Sequence, residues 1–106
     1  MARRAVKDTA TKQIERALAE GYLPNHPEAS LTVYRYNSAS IRVRVIDPDF
    51  EGRDLVDRET EILPIIRKLP DDLQDQITML FLVTPRESKR SSLSAEFDHP
   101  APARLW

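Results

Sequence analysis

The fold is decided by the stretch Ile41-Arg42-Val43-Arg44-Val45-Ile46-Asp47-Pro48-Asp49-Phe50-Glu51-Gly52. Its first residues alternate apolar and basic side chains, which is the two-residue period of a strand with one buried face. Because proline cannot donate a hydrogen bond to a neighbouring strand, Pro48 ends this strand, and Phe50-Glu51-Gly52 follows as a turn. The stretch therefore predicts a half-buried strand that leads directly into a turn.

Another strand precedes this one along the chain. Residues 31–37 are rich in β-forming side chains, and the Asn and Ser residues of segment 37–40 favour a tight turn. The two strands therefore predict a hairpin whose apolar residues, such as Val33 and Val43, share one face. The opposite, outer face carries polar and aromatic side chains: Thr32, Tyr34, Tyr36, Arg42 and Arg44.

One helix is predicted before the hairpin along the chain and another after it. Asp8 can cap a first helix, and Gly21 can end it in the left-handed conformation that glycine adopts cheaply. Asp54 can cap a second helix that runs to about Leu69, and Pro64 inside it predicts a kink or a break. We expect one core on one side of the sheet: Ile14, Leu18, Val33, Val43, Val45, Leu55, Ile62 and Ile66.

A third strand is predicted over residues 77–84, the most hydrophobic segment, and Pro85 stops it. Its pattern puts Ile77, Met79, Phe81 and Val83 on one face, with Leu80 and Leu82 on the other. We expect Leu80 and Leu82 to join the outer face. Exposed apolar area there marks an interface or is covered by the tail of the chain. The tail side chains that can supply such cover are Phe97, Leu105 and Trp106.

The composition is that of one small soluble domain. The chain has 106 residues, a net charge of −1 and no cysteine, which excludes disulfides and cysteine-bound metals. The longest apolar run, residues 79–83, is too short to span a membrane. The N-terminus lacks the apolar region of a signal peptide, so we expect a cytoplasmic location. We assign residues 8–87 to the domain, with flexible segments at 1–7 and 88–106.

Three parts of the sequence resemble the BolA-like family. They are the strand that leads to Phe50-Glu51-Gly52, the helix start Leu55-Val56-Asp57-Arg58, and the last strand, which ends in Thr84-Pro85. The resemblance covers about residues 12–87. It implies a class II KH-like fold, which is α+β in the order αββααβ, with helices packed on one face of a three-stranded mixed sheet. The family-motif positions are Phe50, Gly52, Arg58, Thr84 and Pro85.

The sequence departs from the family where its histidines stand. The family histidine of the second helix falls at Glu59, and the metal-binding histidine that opens the last strand falls at Thr78. The second family ligand has no match in the segment 37–40. Because carboxylate and hydroxyl groups do not replace imidazole toward soft metals, we expect no iron–sulfur cluster and no other cofactor.

Other candidates for chemistry have a simpler interpretation. Asp47, Asp49 and Glu51 could offer oxygen ligands to Mg²⁺ or Ca²⁺, but aspartates are also common turn residues. His26 and His99 lie in proline-flanked segments and are expected to be exposed, without the spacing of a zinc site. We therefore predict no catalytic residue and no metal ligand.

The remaining candidate is an interaction surface on the outer sheet face: Tyr34, Tyr36, Arg42, Arg44, Leu80 and Leu82. We predict a small non-catalytic adaptor or regulatory domain that binds an unknown protein partner, as a monomer or weak homodimer. The alternative is a KH-like module in which this face binds single-stranded RNA or DNA. The segment 68–72, where a KH domain has its Gly-x-x-Gly loop, contains no glycine.

Overall fold

The computed structural model describes residues 8–100, without the side chains of residues 92 and 93. It confirms an α+β fold with a three-stranded mixed sheet. A single turn of 3-10 helix, Pro48–Phe50, follows the second strand. The other elements, in chain order, are α1 (Thr9–Gly21), β1 (Ser30–Asn37), β2 (Ser40–Ile46), α2 (Leu55–Arg67), α3 (Asp71–Gln76), β3 (Ile77–Val83), α4 (Pro85–Arg90) and α5 (Ser92–Asp98).

The sheet has the order β1-β2-β3, so β2 is central. β1 and β2 form the predicted antiparallel hairpin, with Val33 opposite Val43. β3 pairs with β2 in parallel, with Leu82 beside Val45. A parallel neighbour requires a crossover, and α2 and α3 supply it.

The core lies between α1, α2 and one face of the sheet. The predicted core residues Ile14, Leu18, Val33, Val43, Val45, Ile62 and Ile66 are all buried. Leu55 is the exception, because 57% of its surface is exposed. Phe50 is fully buried, and the Arg58 guanidinium carbon lies 5.5 Å from the centroid of its ring. Leu55, in the first turn of α2, therefore does not belong to the core.

The helix ends follow capping chemistry, with one difference at Gly21. The carboxylates of Asp8 and Asp54 accept hydrogen bonds from the first turns of α1 and α2, as expected. Gly21 ends α1 but does not adopt a positive φ, which among the described glycines only Gly52 does. Gly21 instead allows close helix packing, because an added Cβ would stand 2.9 Å from Cδ1 of Ile65.

α2 does not break at its internal proline. The helix is continuous from Leu55 to Arg67, and Pro64 is exposed on its surface. The missing amide of Pro64 therefore costs one hydrogen bond to Thr60 without dividing the helix in two.

A bulge in β3 overturns the predicted faces of that strand. Ile77 pairs with Ile41 and Met79 with Arg42, so Thr78 is an extra residue between them. After the bulge, Leu80 lies beside Val43. Neighbours in register project to the same face, so Leu80 and Leu82 pack against the helix-covered core rather than on the outer face. The outer face carries Met79, Phe81 and Val83 instead.

The segment after β3 is folded, which corrects the predicted flexible tail for residues 88–98. Thr84 and Glu87 form a reciprocal capping box at the start of α4. α5 then lies on the outer face of the sheet. Its Phe97 is 1% exposed and meets the Tyr34 ring edge-on, with 5.0 Å between ring centroids. Residues 1–7, Leu105 and Trp106 lie outside the described residues.

Candidate functional site

The outer sheet face is occupied by α5. The Tyr34 hydroxyl donates a 2.9 Å hydrogen bond to the carbonyl oxygen of Phe97, and the Arg44 guanidinium lies 4.5 Å from the Phe97 ring centroid. Four of the six residues predicted for this surface, Tyr34, Tyr36, Arg42 and Arg44, do share this face. The structure places Tyr34, Arg42 and Arg44 against α5 instead of in the open, and Tyr36 stacks against the Arg42 guanidinium.

Acidic residues of α5 pair with both arginines of this face. Arg42 forms a 2.9 Å ion pair with Glu96 and lies 3.7 Å above the Tyr36 ring centroid. Arg44 forms a 3.0 Å ion pair with Asp98. The two arginines that favoured a phosphate-binding surface are therefore paired with carboxylates of the same chain. One face of the Tyr36 ring is also covered by the Arg42 guanidinium.

The family-motif positions Phe50, Gly52 and Arg58 join the sheet to α2. Phe50 is fully buried, and Gly52 has a φ of 77°, which a residue with a Cβ rarely adopts. Arg58 donates a 3.0 Å hydrogen bond to the carbonyl oxygen of Leu82, near the end of β3. These contacts give the motif positions a structural role at the end of the core.

Arg58 also ties α2 to α4. Its guanidinium donates two hydrogen bonds, of 2.7 and 3.1 Å, to the two oxygens of Glu87. The Arg58 hydrogen bond and the capping contact with Thr84 lower the pKa of Glu87 from 4.5 to about 2. Thr84 and Pro85 start α4 as its N-cap and its first residue.

A second group of polar residues surrounds His26. The expectation of an exposed loop histidine is wrong, because His26 is only 8% exposed. The chain turns between Tyr22 and His26 directly after α1, and this turn stacks the two rings 4.1 Å apart at an interplanar angle of 9°. The stack fixes the plane of the imidazole and leaves its two nitrogens to polar partners.

Three carboxylates from different elements meet these nitrogens. Nδ1 lies 2.9 Å from Oδ2 of Asp49, in the 3-10 turn, and 3.3 Å from Oδ2 of Asp47, at the end of β2. Nε2 lies 3.0 Å from Oε1 of Glu61, on α2. We call His26, Asp47, Asp49 and Glu61 the His26 cluster.

Asp47 is the most buried carboxylate of the cluster, at 1% exposed. One oxygen accepts a 2.5 Å hydrogen bond from the Tyr22 hydroxyl, and the other accepts a 2.9 Å bond from the backbone amide of Asp49. The turn chemistry expected of Asp47 is therefore present, together with a long-range contact to the end of α1.

The environment shifts the pKa values of both stacked rings. Burial lowers the pKa of His26, but the hydrogen bonds with Asp49 and Glu61 outweigh it and leave the pKa above its ordinary value. Burial, followed by the hydrogen bond to Asp47, raises the pKa of the Tyr22 hydroxyl. The raised pKa keeps the Tyr22 hydroxyl protonated as the donor to Asp47.

Sequence reasoning found part of this cluster. It identified Asp47 and Asp49 as possible oxygen ligands, but the third candidate, Glu51, makes no contact with His26 among the described residues. Glu61 takes its place from a position with no local sign of a site. His99 is exposed, as expected.

Comparisons with models of protein families, with curated proteins and with solved structures find no match to this chain. Within residues 8–100, no helix is long and apolar enough to span a membrane.

Proposed function

We propose that this chain is a small, non-catalytic binding domain of BolA-like type that acts through protein–protein interaction. The order of strands and the structural roles of Phe50, Gly52 and Arg58 support the family resemblance. Support for a binding role comes from the surface at the start of α2.

The observation that carries the proposal is an exposed apolar pair. Leu55 is 57% exposed and Val56 is 72% exposed, and among the described residues they are the exposed large hydrophobic side chains. Single exposed apolar residues are ordinary on protein surfaces, but two in succession offer an anchor for a partner. An exposed pair at a helix start also brings no stability to the domain by itself.

The surroundings of this pair indicate the chemistry of the partner. The segment 47–61 holds seven acidic residues and two basic ones, although the whole chain is almost neutral. One of the two basic residues, Arg58, is already paired with Glu87. We call Leu55, Val56 and their exposed neighbours Glu51, Asp54 and Asp57 the acidic surface. Its charge favours a partner protein that presents basic side chains around an apolar one.

The nucleic-acid alternative gains no support from the described residues. Its proposed surface lies under α5, and Arg42 and Arg44 are paired with acidic side chains. The acidic surface would repel phosphates.

The proposal is tested by affinity capture with matched variants. The wild-type chain, Val56→Arg and Glu20→Arg serve as baits in extracts of the source organism, and bound proteins are quantified by mass spectrometry. Both positions are exposed, so both variants should keep the stability of the fold within about 0.5 kcal/mol. We expect a basic partner that wild type and Glu20→Arg retain and that Val56→Arg loses.

The contrary results are equally specific. A partner retained equally by all three baits would contradict the role of the acidic surface. So would binding of single-stranded RNA that is abolished by Arg42→Ala, because that result would assign the function to the sheet face.

A further inference from the structure

We propose that His26, Asp47 and Asp49 form a binding site for one divalent transition-metal cation, with Glu61 holding the His26 ring in position. One ligand atom from each of the three residues lies within 4.8 Å of the others. These residues come from the loop after α1, the end of β2 and the 3-10 turn, so the fold and not a local motif brings them together.

The spacing of the ligand atoms suits such a cation. Zinc lies about 2.0–2.2 Å from nitrogen and oxygen ligands, so the ligands of a tetrahedral site stand about 3.3 Å apart. Nδ1 of His26 and Oδ2 of Asp47 are 3.3 Å apart, and Nδ1 and Oδ2 of Asp49 are 2.9 Å apart. The Asp49 side chain is 59% exposed, so it has room to move outward and lengthen the second distance.

The groups around the three ligands are those that orient ligands in metal sites. A metal-binding histidine typically donates its other ring N–H to a carboxylate, and Nε2 of His26 lies 3.0 Å from Glu61. Stacking on Tyr22 fixes the ring plane. The Tyr22 hydroxyl and the Asp49 amide hold the two oxygens of Asp47. Binding therefore requires little ordering of side chains.

The charge of the His26 cluster also favours a dication. Three carboxylates surround one imidazole, and among the described residues none of the three forms a salt bridge with lysine or arginine. Even with both ring nitrogens protonated, the cluster keeps a formal charge of −2. When the cation binds, the proton on Nδ1 leaves to solvent and the nitrogen lone pair forms the bond to the metal.

The donor set selects the class of cation. One imidazole nitrogen and two carboxylate oxygens suit zinc, manganese or cobalt better than magnesium or calcium, because the latter two prefer ligands that are all oxygen. The exposed side of Asp49 gives a path from solvent and leaves room for water as a further ligand. The sequence alone predicts no metal here, because a histidine in a proline-flanked loop is expected to be exposed.

The test is calorimetric titration of the tag-free full chain with ZnCl₂. Asp49→Asn removes one charged ligand and is exposed enough to leave the fold intact. Asp75→Asn is the matched control, an exposed aspartate of α3 distant in sequence from the cluster, and His99→Gln removes the other histidine of the chain. We expect one zinc per wild-type chain, affinity lowered at least about tenfold by Asp49→Asn, and unchanged affinity in both controls.

Histidine ring signals in ¹⁵N NMR supply a second, direct readout. The two histidines can be distinguished, and zinc should shift the Nδ1 signal of His26 and leave that of His99 unchanged. No saturable binding up to 1 mM zinc would overturn the proposal. Equal affinity in wild type and Asp49→Asn, or shifts at both histidines alike, would also overturn it, because either result describes non-specific surface binding.

Discussion

Removal of the Phe97 ring tests whether α5 belongs to the folded domain. The ring is 1% exposed, stands edge-on to Tyr34 and lies beneath the Arg44 guanidinium. Truncation of a buried phenylalanine to alanine costs about 3–5 kcal/mol, of which the aromatic pair accounts for about 1 kcal/mol. α5 is the last helix that the structure describes. If it detaches while the rest stays folded, the loss cannot exceed the free energy with which it docks. We therefore expect Phe97→Ala to lower the free energy of unfolding by about 3 kcal/mol, or to detach the helix.

The assay is urea unfolding followed by circular dichroism, together with amide hydrogen exchange. A detached α5 would lower the slope of the free energy against urea concentration, because less surface is exposed on unfolding. The amide of His99, which donates to the carbonyl of Ala95, should exchange faster in Phe97→Ala than in wild type. Val56→Ala is the control, since an exposed truncation should change stability by less than about 0.5 kcal/mol. A change below that value for Phe97→Ala, with His99 unprotected in wild type, would refute the packed position of α5.

Three further predictions concern the core and the ends of α2. Ile66→Ala should lower the free energy of unfolding by about 2–5 kcal/mol, whereas Leu55→Ala should lower it by less than about 0.5 kcal/mol, because only Ile66 is buried. Equal losses in the two variants would contradict the orientation of α2. Gly52→Ala should lower the melting temperature, because alanine is strained at a φ of 77°, by an amount equivalent to about 1 kcal/mol; an unchanged melting temperature would oppose this. Because the pKa of Glu87 is lowered in the folded state, its pair with Arg58 stabilises the fold above pH 4.5, and this contribution disappears between pH 4.5 and about 2. Glu87→Gln should therefore flatten this part of the curve of stability against pH. An unaltered curve would show that the pair does not contribute to stability.

The order of elements and most of the core could be predicted from the sequence because they follow from local periodicity. The alternation of apolar and basic residues in β2 places Val43 and Val45 in the core whatever surrounds the strand. The caps at Asp8 and Asp54 are equally local, since side chain and amide are three residues apart.

The faces of β3 could not be predicted in the same way. With apolar residues on both sides, the side that Leu80 and Leu82 take depends on the register with β2 and on the bulge at Thr78. Register is set by packing across the sheet, and the sequence pattern of a single strand carries no information about that packing.

After β3, the start of α4 could be predicted from the sequence, but the position of α5 could not. Thr84 and Glu87 have the spacing of a capping box, a sequence sign of the start of α4 that the flexible-tail prediction overlooked. α5 is short, and its position depends on the ring contact between Phe97 and Tyr34, which are 63 residues apart in the chain.

The His26 cluster shows the same limit. Its contacts join residues 23 and 35 positions apart, and the stacking on Tyr22 removes His26 from solvent although it stands between prolines. A histidine in such a loop is expected to be exposed until the turn after α1 is known.

The proposal of a protein-binding domain is tested most directly by site-specific photo-crosslinking in cells of the source organism. A photoreactive phenylalanine analogue replaces Val56 in one form of the protein and Tyr36, on the outer sheet face, in another. We predict a discrete crosslinked partner from position 56, no such product from position 36, and loss of the product when Asp57→Lys is added. A partner that crosslinks from position 36 and not from position 56 would contradict the account, because it would return the binding surface to the sheet.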